Sequence, residues 1–382
     1  MIYFDNAATT LTKPDKVFRA CYEAGKTAAN PGRGAHPPSV KAAEIVYTCR
    51  EEAAHFFNLA EPERVIFTSN ATHALNLAIK GALSDGGHVV ISGYEHNSVL
   101  RPVAAMYDAN IITFSVADAP LYKPREMVEA ISARISEKTR YVVLNHVSNV
   151  FGYILPIYEV DALCAQKGIG LIIDAAQSAG VLPLDAKKLS ACEYICMPGH
   201  KSLFGPQGTG ILLCLKDTLH KTLVEGGTGS VSNEVKQPSF LPDRFESGTL
   251  NVPGIAGLLE GIRFVRRLGT DEIRAHEEAL VHHMSEGLSV IPDLEVFVSS
   301  NQSIQTGVLS FRGKKGCEEI AEYLSSNGIC VRTGLHCAPL AHMNANTYDT
   351  GTVRISFSYF STKKEIERFL YVLNRYQTGK KN

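Results

Sequence analysis

No stretch of this 382-residue sequence is apolar for long enough to cross a bilayer, and the opening MIYFDNAATT has no basic stretch leading into an apolar run. A soluble cytoplasmic protein is expected. Charge of one sign is also missing: 38 Lys and Arg stand against 39 Asp and Glu, for a formal net charge of −1. That balance gives no electrostatic footprint for nucleic acid or an anionic membrane, so a small-molecule substrate is the default. The nine cysteines are odd in number and scattered, with neither the dense spacing of a secreted disulfide scaffold nor a CxxC pair. A reducing compartment fits, and at least one thiol is left for chemistry. No internal repeat or low-complexity segment interrupts the chain. At 45% hydrophobic residues it can bury a large core and fill one large domain plus a smaller one, which excludes a minimal binding module.

What is present is an alternation. From about residue 63 to about residue 215, the short apolar runs ERVIFTS, HVVISG, IITFSV, RYVVLNHV, GLIIDAAQ, YICMPG and GTGILLCL are separated by helical patterns such as THALNLAIKGAL. This is the rhythm of a parallel sheet with crossover helices. Strands so poor in polar alternates are expected to be buried on both faces. After the turn-rich EGGTGSVSN, FESGTLNVPG leads into one helical segment running through DEIRAHEEALVHHMSEGL. A smaller α/β unit follows, with strands at LEVFVS, TGVLSFR, GICVRTG and TVRISFS and a last helix from about Thr362 to Tyr376.

Ligands of an open parallel sheet bind beyond the carboxyl ends of its strands, so the residues where apolar runs stop are informative. LIID stops at Asp174, YICMPGHK runs into His200 and Lys201, and IFTSNATHALNL places Ser69, Asn70, Ala71 and Thr72 at the opening of a helix over 72–81. Pyridoxal phosphate (PLP) needs such a set: a lysine for its aldehyde, an acid for its pyridine nitrogen and donors for its phosphate. The helix start would supply backbone N–H groups, and Thr72 a hydroxyl. Taken singly, Asn70 and Thr72 read as helix caps, Asp174 as a turn cap, and Lys201 as a solvated charge. The spacing favours function, because one intervening strand unit brings Asp174 and Lys201 to the same sheet edge.

The segment CVRTGLHCAP carries Arg332, His336 and Cys337 out of a strand into a loop. A thiol attacks as thiolate, and a neighbouring Arg or protonated His lowers its pKa from about 8.5 toward neutrality. Cys196 and Cys214 fall in apolar strands, and Cys21, Cys49 and Cys164 in helical patterns, where cysteine is usually a small core hydrophobe. A metal site from His336, Cys337 and His342 has no CxxC to support it, and no metal is expected.

The segments YFDNAATT, NPGRGAH, NATHALNLA, YEHNSV, HVSNVFG, DAAQS, GHKSLFGPQGTG, FESGTLNVPG and RTGLHCAP stand in register with a known family. Over essentially its whole length the chain resembles the class V aminotransferase-like PLP enzymes, in the cysteine desulfurase and selenocysteine lyase branch with a short RTGxHCA loop. The resemblance implies an α/β chain of PLP-dependent transferase fold type I. A large domain over 15–255 would hold a mainly parallel seven-stranded sheet, and 1–14 with 256–382 would form a smaller α/β domain carrying the catalytic cysteine loop. It implies that Lys201 holds PLP as a Schiff base, that His96 stacks on the ring, that Asp174 pairs with the pyridine nitrogen and that Gln177 bonds the ring hydroxyl. His200, with Ala71 and Thr72, would hold the phosphate. Thr249 would reach the phosphate of the other subunit's cofactor, which implies a homodimer. Asn149 and Arg354 would hold the substrate carboxylate, with Arg332 and His36 also contacting substrate.

The activity implied is removal of sulfur from L-cysteine, giving L-alanine and a persulfide on Cys337 for a sulfur-acceptor protein. Alternatives are a lyase for L-selenocysteine, whose weaker C–Se bond makes the thiol less critical, and a transaminase or C–S β-lyase, since fold does not fix reaction. An inactive scaffold or sulfur-trafficking partner would have no physical need for Lys201, Asp174 and Cys337 together. The chain departs from its relatives where Ala71 replaces a second Thr, where Pro198 replaces a Ser before Gly199 and where Leu335 replaces a His two residues before the cysteine. It also begins at the DNAATT motif, without a longer leader. The first two changes remove hydroxyls from the phosphate cradle.

Overall fold

A computed structural model gives the structure of the chain, described over residues 1–32, 34–218 and 220–378. The short strand β1 (Ile2–Tyr3) precedes α1 (Asp15–Thr27) and α2 (Pro37–Phe56). The expected alternation then follows as β2 (Val65–Thr68), α3 (Ala71–Ala82), β3 (His88–Ser92), α4 (Asn97–Asp108), β4 (Thr113–Ala117) and α5 (Pro124–Arg134). It continues through β5 (Thr139–Asn145), α6 (Ile157–Lys167), β6 (Gly170–Asp174), β7 (Cys192–Pro198) and β8 (Gly210–Cys214). These seven strands form one sheet in the order β2-β8-β7-β6-β5-β3-β4, and β8 alone runs antiparallel to its neighbours. The mainly parallel seven-stranded sheet is as expected.

Successive side chains of a strand point to opposite faces, and here each face has its own core. Val142, Leu144, Leu171, Ile173, Ile195 and Met197 pack on one side with α2, α6 and part of a long helix, α7 (Val252–Leu268). Tyr141, Val143, Ile172, Tyr194 and Cys196 pack on the other with Leu75 and Ala78 of α3 and Val99 and Val103 of α4. Double coverage is why these strands read as continuous apolar runs. The exception is β4, expected to be buried on both faces like the rest. It is the edge strand, with Thr113 exposed and the next three residues only half-buried.

The helical segment expected after FESGTLNVPG is two helices. Gly269, at φ 86°, ends α7 in a conformation that suits glycine, and α8 (Thr270–Ser289) begins there. Then come β9 (Leu294–Phe297), β10 (Val308–Gly313), α9 (Cys317–Ser326), β11 (Ile329–Cys330), β12 (Arg332–Gly334), α10 (Pro339–Asn344), β13 (Thr352–Ser356) and α11 (Lys363–Thr378). An antiparallel sheet β12-β13-β10-β9 packs Leu309, Phe311, Val353 and Ile355 against Leu280, Ile320 and Phe369 of α8, α9 and α11. GICVRTG, expected as one strand, is divided: Ile329 and Cys330 pair in parallel with β1, whereas Arg332–Gly334 pair with β13. The N-terminal strand thus joins the C-terminal elements, and the expected domain boundary at 255 falls in the first turn of α7.

Helix α7 lies beneath the loop that follows Lys201. A Cβ at Gly261 would stand 2.2 Å from the Leu203 carbonyl oxygen and 2.9 Å from the Gly205 nitrogen, so only glycine allows this approach. Both contacts are backbone and cannot swing aside. Gly261→Ala is expected to lower stability by about 1–3 kcal/mol through overpacking. An unchanged urea unfolding midpoint would count against this account of the contact.

Candidate active site

The carboxyl ends of β5, β6 and β7 lie side by side, with Asn145 opposite Asp174 and Asp174 opposite Cys196. A cavity of about 200 Å³ opens there. It gathers Ala71, Thr72, His96, Asn149, Asp174, Gln177, His200, Lys201, Arg332, His336 and Arg354 from segments far apart in sequence. Asp174 is buried, and its Oδ1 accepts from the Ala176 N–H at 2.9 Å. Burial raises its carboxyl pKa, opposed by that hydrogen bond and by the Lys201 charge. Burial pushes the Lys201 ammonium down to about 8; Asp174 opposes the shift, and Arg354 and Arg332 reinforce it.

At the helix-start end, Asn70 does cap α3: its side chain accepts from the His73 N–H at 2.9 Å. Thr72 does something else. Its hydroxyl lies 2.8 Å from that of Ser98, which lies 2.8 Å from His96 Nδ1. The Ser98 N–H also donates to Nδ1 at 3.0 Å, which places the His96 proton on Nε2. Burial, followed by the positive charges of Lys201 and Arg354, pushes His96 down to about 4 and keeps the ring neutral. Ser98 escaped the sequence reading, since a serine in the first turn of a helix looks like any other; its signal was its place in YEHNSV.

The N-terminal loop closes another side. Thr9 Oγ1 lies 3.0 Å from His200 Nδ1, and the His200 carbonyl accepts from Lys13 Nζ at 3.1 Å. Gln177 donates to the Ala7 carbonyl at 3.0 Å. His200 is pushed down to about 4, by burial first and then by the Lys201 and Lys13 charges.

At the opposite end Arg354 is almost wholly enclosed. Its guanidinium donates to the Asn149 carbonyl at 3.0 Å and to Asp5 Oδ1 at 2.7 Å, while Nε is buried without a partner. Asn149 Nδ2 donates to the His336 carbonyl at 2.8 Å, leaving its Oδ1 buried and unpaired. Arg332, opposite Arg354 across the β12–β13 pair, is exposed. Asp5 is a second residue the sequence reading missed, because its partner lies 349 positions away.

Three expected residues lie outside this cavity. Cys337, one residue past His336, is the sole exposed cysteine of the nine, all of them described. Its carbonyl accepts from the Asn97 N–H at 2.7 Å, which docks the loop on α4 beside His96. Thr249 is exposed and borders a separate cavity with Arg50 and Glu246, and His36 is exposed at the start of α2. One expectation is corrected. His336 does not stand beside the thiol as a cation: burial, with Arg354 next in order, pushes its ring well below the usual histidine range. The cation shown acting with the thiol is Arg354, whose charged form a negative charge on Cys337 favours. Among the described residues, no three His, Cys, Asp or Glu side chains gather to hold a metal.

The description of the aminotransferase class-V family matches residues 2–369. The chain belongs to the class V aminotransferase family. It is 32% identical to a probable cysteine desulfurase of Methanothermobacter thermautotrophicus, over 96% of this chain and 92% of that one. It is 33% identical to a probable cysteine desulfurase of Pyrococcus abyssi, over 98% and 93%. The apo structure of a cysteine desulfurase from Thermococcus onnurineus NA1 superposes with a TM-score of 0.91 at 31% identity, covering 99% of this chain and 95% of that one.

For this class V chain, the depressed pKa of Lys201 makes a direct prediction. Its amine should become nucleophilic with a midpoint near pH 8 rather than near 10.5. The rate at which the apoprotein captures PLP, fixed by borohydride and mapped by mass spectrometry, should rise through that midpoint on the peptide holding Lys201. Capture on another lysine, or a midpoint near 10.5, would refute the assignment.

Proposed function

We propose that this class V enzyme is a PLP-dependent cysteine desulfurase, taking sulfur from L-cysteine onto Cys337 and releasing L-alanine. The observation that carries the reading is one exposed thiol, a single residue beyond the wall of a cavity built around a half-buried lysine and a buried aspartate. The relatives named above, which align with nearly all of the chain, support it.

The residues fit PLP on the chemistry of the donor set. A buried carboxyl faces a lysine amine, and backbone N–H groups at the start of α3, with Thr72 and His200, suit a phosphate. Ala71 and Pro198 line that end without hydroxyls, so the backbone and Thr72 carry more of the phosphate's binding. When bound, PLP supplies an electron sink for bonds next to the amino carbon of a substrate.

The protein's own tasks follow from where its groups stand. Asp174 would hold a proton on the pyridine nitrogen. Lys201 would hold the cofactor's aldehyde carbon and move a proton at the substrate carbon, a role its lowered pKa suits. His96, neutral, and Gln177 would hold the ring. Arg354, Arg332 and Asn149 hold the substrate carboxylate, for which Arg354 Nε, buried without a partner, is a donor. The Cys337 thiolate attacks the substrate sulfur: a sulfur–sulfur bond forms, the Cβ–S bond breaks with its electron pair left on the substrate, and a proton completes alanine. Cysteine and thiol become alanine and persulfide, with no other oxidant or reductant.

Thr249 is exposed and away from its own cavity, which supports a homodimer in which it completes the site of a second copy, and His36 is exposed likewise. A persulfide on an exposed loop is open to a sulfur-acceptor protein. Nine reduced cysteines suit the cytoplasm.

After reaction with cysteine, mass analysis should find one added sulfur on the Cys337 peptide, and Cys337→Ala should keep its yellow colour while alanine output collapses, by roughly a hundredfold or more. Selenocysteine should suffer a smaller loss. Parental alanine output from Cys337→Ala would move the assignment to a transaminase or β-lyase. Mixing Lys201→Ala and Thr249→Ala subunits should change activity non-additively, and a monomer in ultracentrifugation at working concentration would remove the dimer.

A further inference from the structure

The corner that carries Cys337 backs onto a second histidine for which the reaction above has no task. His342, in α10, is wholly buried, and its ring lies 5.6 Å from that of His336, centroid to centroid, at 32°. Each ring has one nitrogen engaged. His336 Nε2 lies 3.2 Å from the Thr352 carbonyl oxygen, which can only accept, and 3.1 Å from the Thr352 hydroxyl, which can accept as well as donate; a proton on Nε2 satisfies both and leaves Nδ1 a bare lone pair. His342 Nδ1 lies 2.7 Å from the Thr347 hydroxyl. That hydroxyl's other acceptor, the His342 carbonyl, is 3.4 Å away, at the limit of hydrogen bonding. The Thr347 backbone competes as an acceptor for a ring proton, but the hydroxyl at 2.7 Å is the nearer partner, and its donation into Nδ1 puts the His342 proton on Nε2.

The two remaining nitrogens, His336 Nδ1 and His342 Nε2, are both buried and without a partner. An unmet buried polar group costs about 1–3 kcal/mol, so two on one ring pair are an expensive accident unless they serve each other. They are complementary, one a lone pair and the other an N–H. Burial keeps both rings neutral, with His342 pushed down to about 4, so each ring holds a single proton.

The corner needs holding. His336 and Cys337 are consecutive non-glycine residues in the left-handed region, at φ 48° and 56°, which costs about 1–3 kcal/mol apiece unless the surroundings impose it. Asn149 grips the His336 carbonyl, Asn97 grips the Cys337 carbonyl, and Thr352 takes one side of the His336 ring. The other side of that ring is His342. We infer that His342 is a positioning residue for persulfide formation: no direct bond joins the two rings, and its Nε2–H reaches His336 Nδ1 through one water, which fixes the corner from which the Cys337 thiol reaches substrate sulfur. The inference rests on Cys337 being the sulfur-accepting thiol.

The test compares the holoenzyme with His342→Leu, His342→Gln and Thr347→Val. Leucine fills the space without a donor, glutamine returns an amide N–H near the Nε2 position, and valine removes only the hydroxyl that orients the ring. His342→Leu should lose about tenfold or more in kcat for alanine, since a misplaced reacting group is costly. KM for cysteine and the cofactor's absorbance response to cysteine should stay within about twofold, because both report on the cavity rather than on the thiol. His342→Gln should recover most of the loss, and Thr347→Val should fall between. Alkylation of Cys337 by iodoacetamide, without cysteine present, should change in the same order and does not depend on what the thiol does in turnover. A parent that alkylates yet forms no persulfide overturns the reaction and not the positioning. Parental kcat and alkylation in His342→Leu, or a glutamine variant no better than leucine, overturns the positioning. Should His342→Leu not fold, Thr347→Val decides, and parental kcat and alkylation there overturn it.

Discussion

A guanidinium enclosed by protein needs its donors answered, and at Arg354 both terminal nitrogens are answered from stretches of chain far away in sequence. The residue is in β13, within the small antiparallel sheet, and is 2% exposed. One terminal nitrogen donates to Asn149, in the loop beyond β5 of the large sheet, and the other to Asp5, just past β1. Asp5 also bridges Ser356, and Asn6 donates to the Ser356 carbonyl at 2.9 Å. The charge that would receive a carboxylate is therefore also the tie between the two sheets. Removing one partner of such a buried pair costs about 3–5 kcal/mol, because the other charge is stranded.

Around that tie, the positive charge is concentrated in Lys201, Arg332 and Arg354, while the histidines stay neutral. Burial comes first for His96, His200 and His336, and the neighbouring cations then push each further down. Arg332 and Arg354 would thus face a substrate carboxylate, whereas a phosphate would be met by backbone N–H groups and neutral side chains. The imidazoles are left to hydrogen-bond and to pack. Ser98 and Thr72 show the same division, relaying the orientation of His96 to the start of α3 without adding charge.

How much of this was legible depended on the distance over which each feature is decided. Asp174 and Lys201 could be read because a buried parallel strand writes a continuous apolar run, and the first polar residue after it must stand at the sheet edge. The division of GICVRTG could not, because nothing within those residues marks Val331 as the point where the chain leaves one sheet for another; that choice belongs to β1 and β13. Asp5 went unseen because its partner is 349 residues away, and Ser98 because a serine in the first turn of a helix looks like any other. The charge of His336 was misjudged because adjacency in sequence suggested a cation beside the thiol, whereas ring burial is a property of the packed fold. Conversely, Cys337 stood out by elimination, and its eight companions are buried or half-buried as their apolar contexts suggest.

The parallel pairing of β1 with β11 bears on how the molecule comes into being. On a ribosome making about 5–20 residues per second, Asp5 emerges about 20–70 seconds before Arg354. The large sheet, whose strands all lie between residues 65 and 214, has its whole sequence long before then. A nascent chain can thus build the part of the cavity that suits a phosphate and a ring while the part that suits a substrate carboxylate is still being synthesised. The order of translation keeps the two apart, and the reactive lysine meets no substrate clamp until residue 354 has been made.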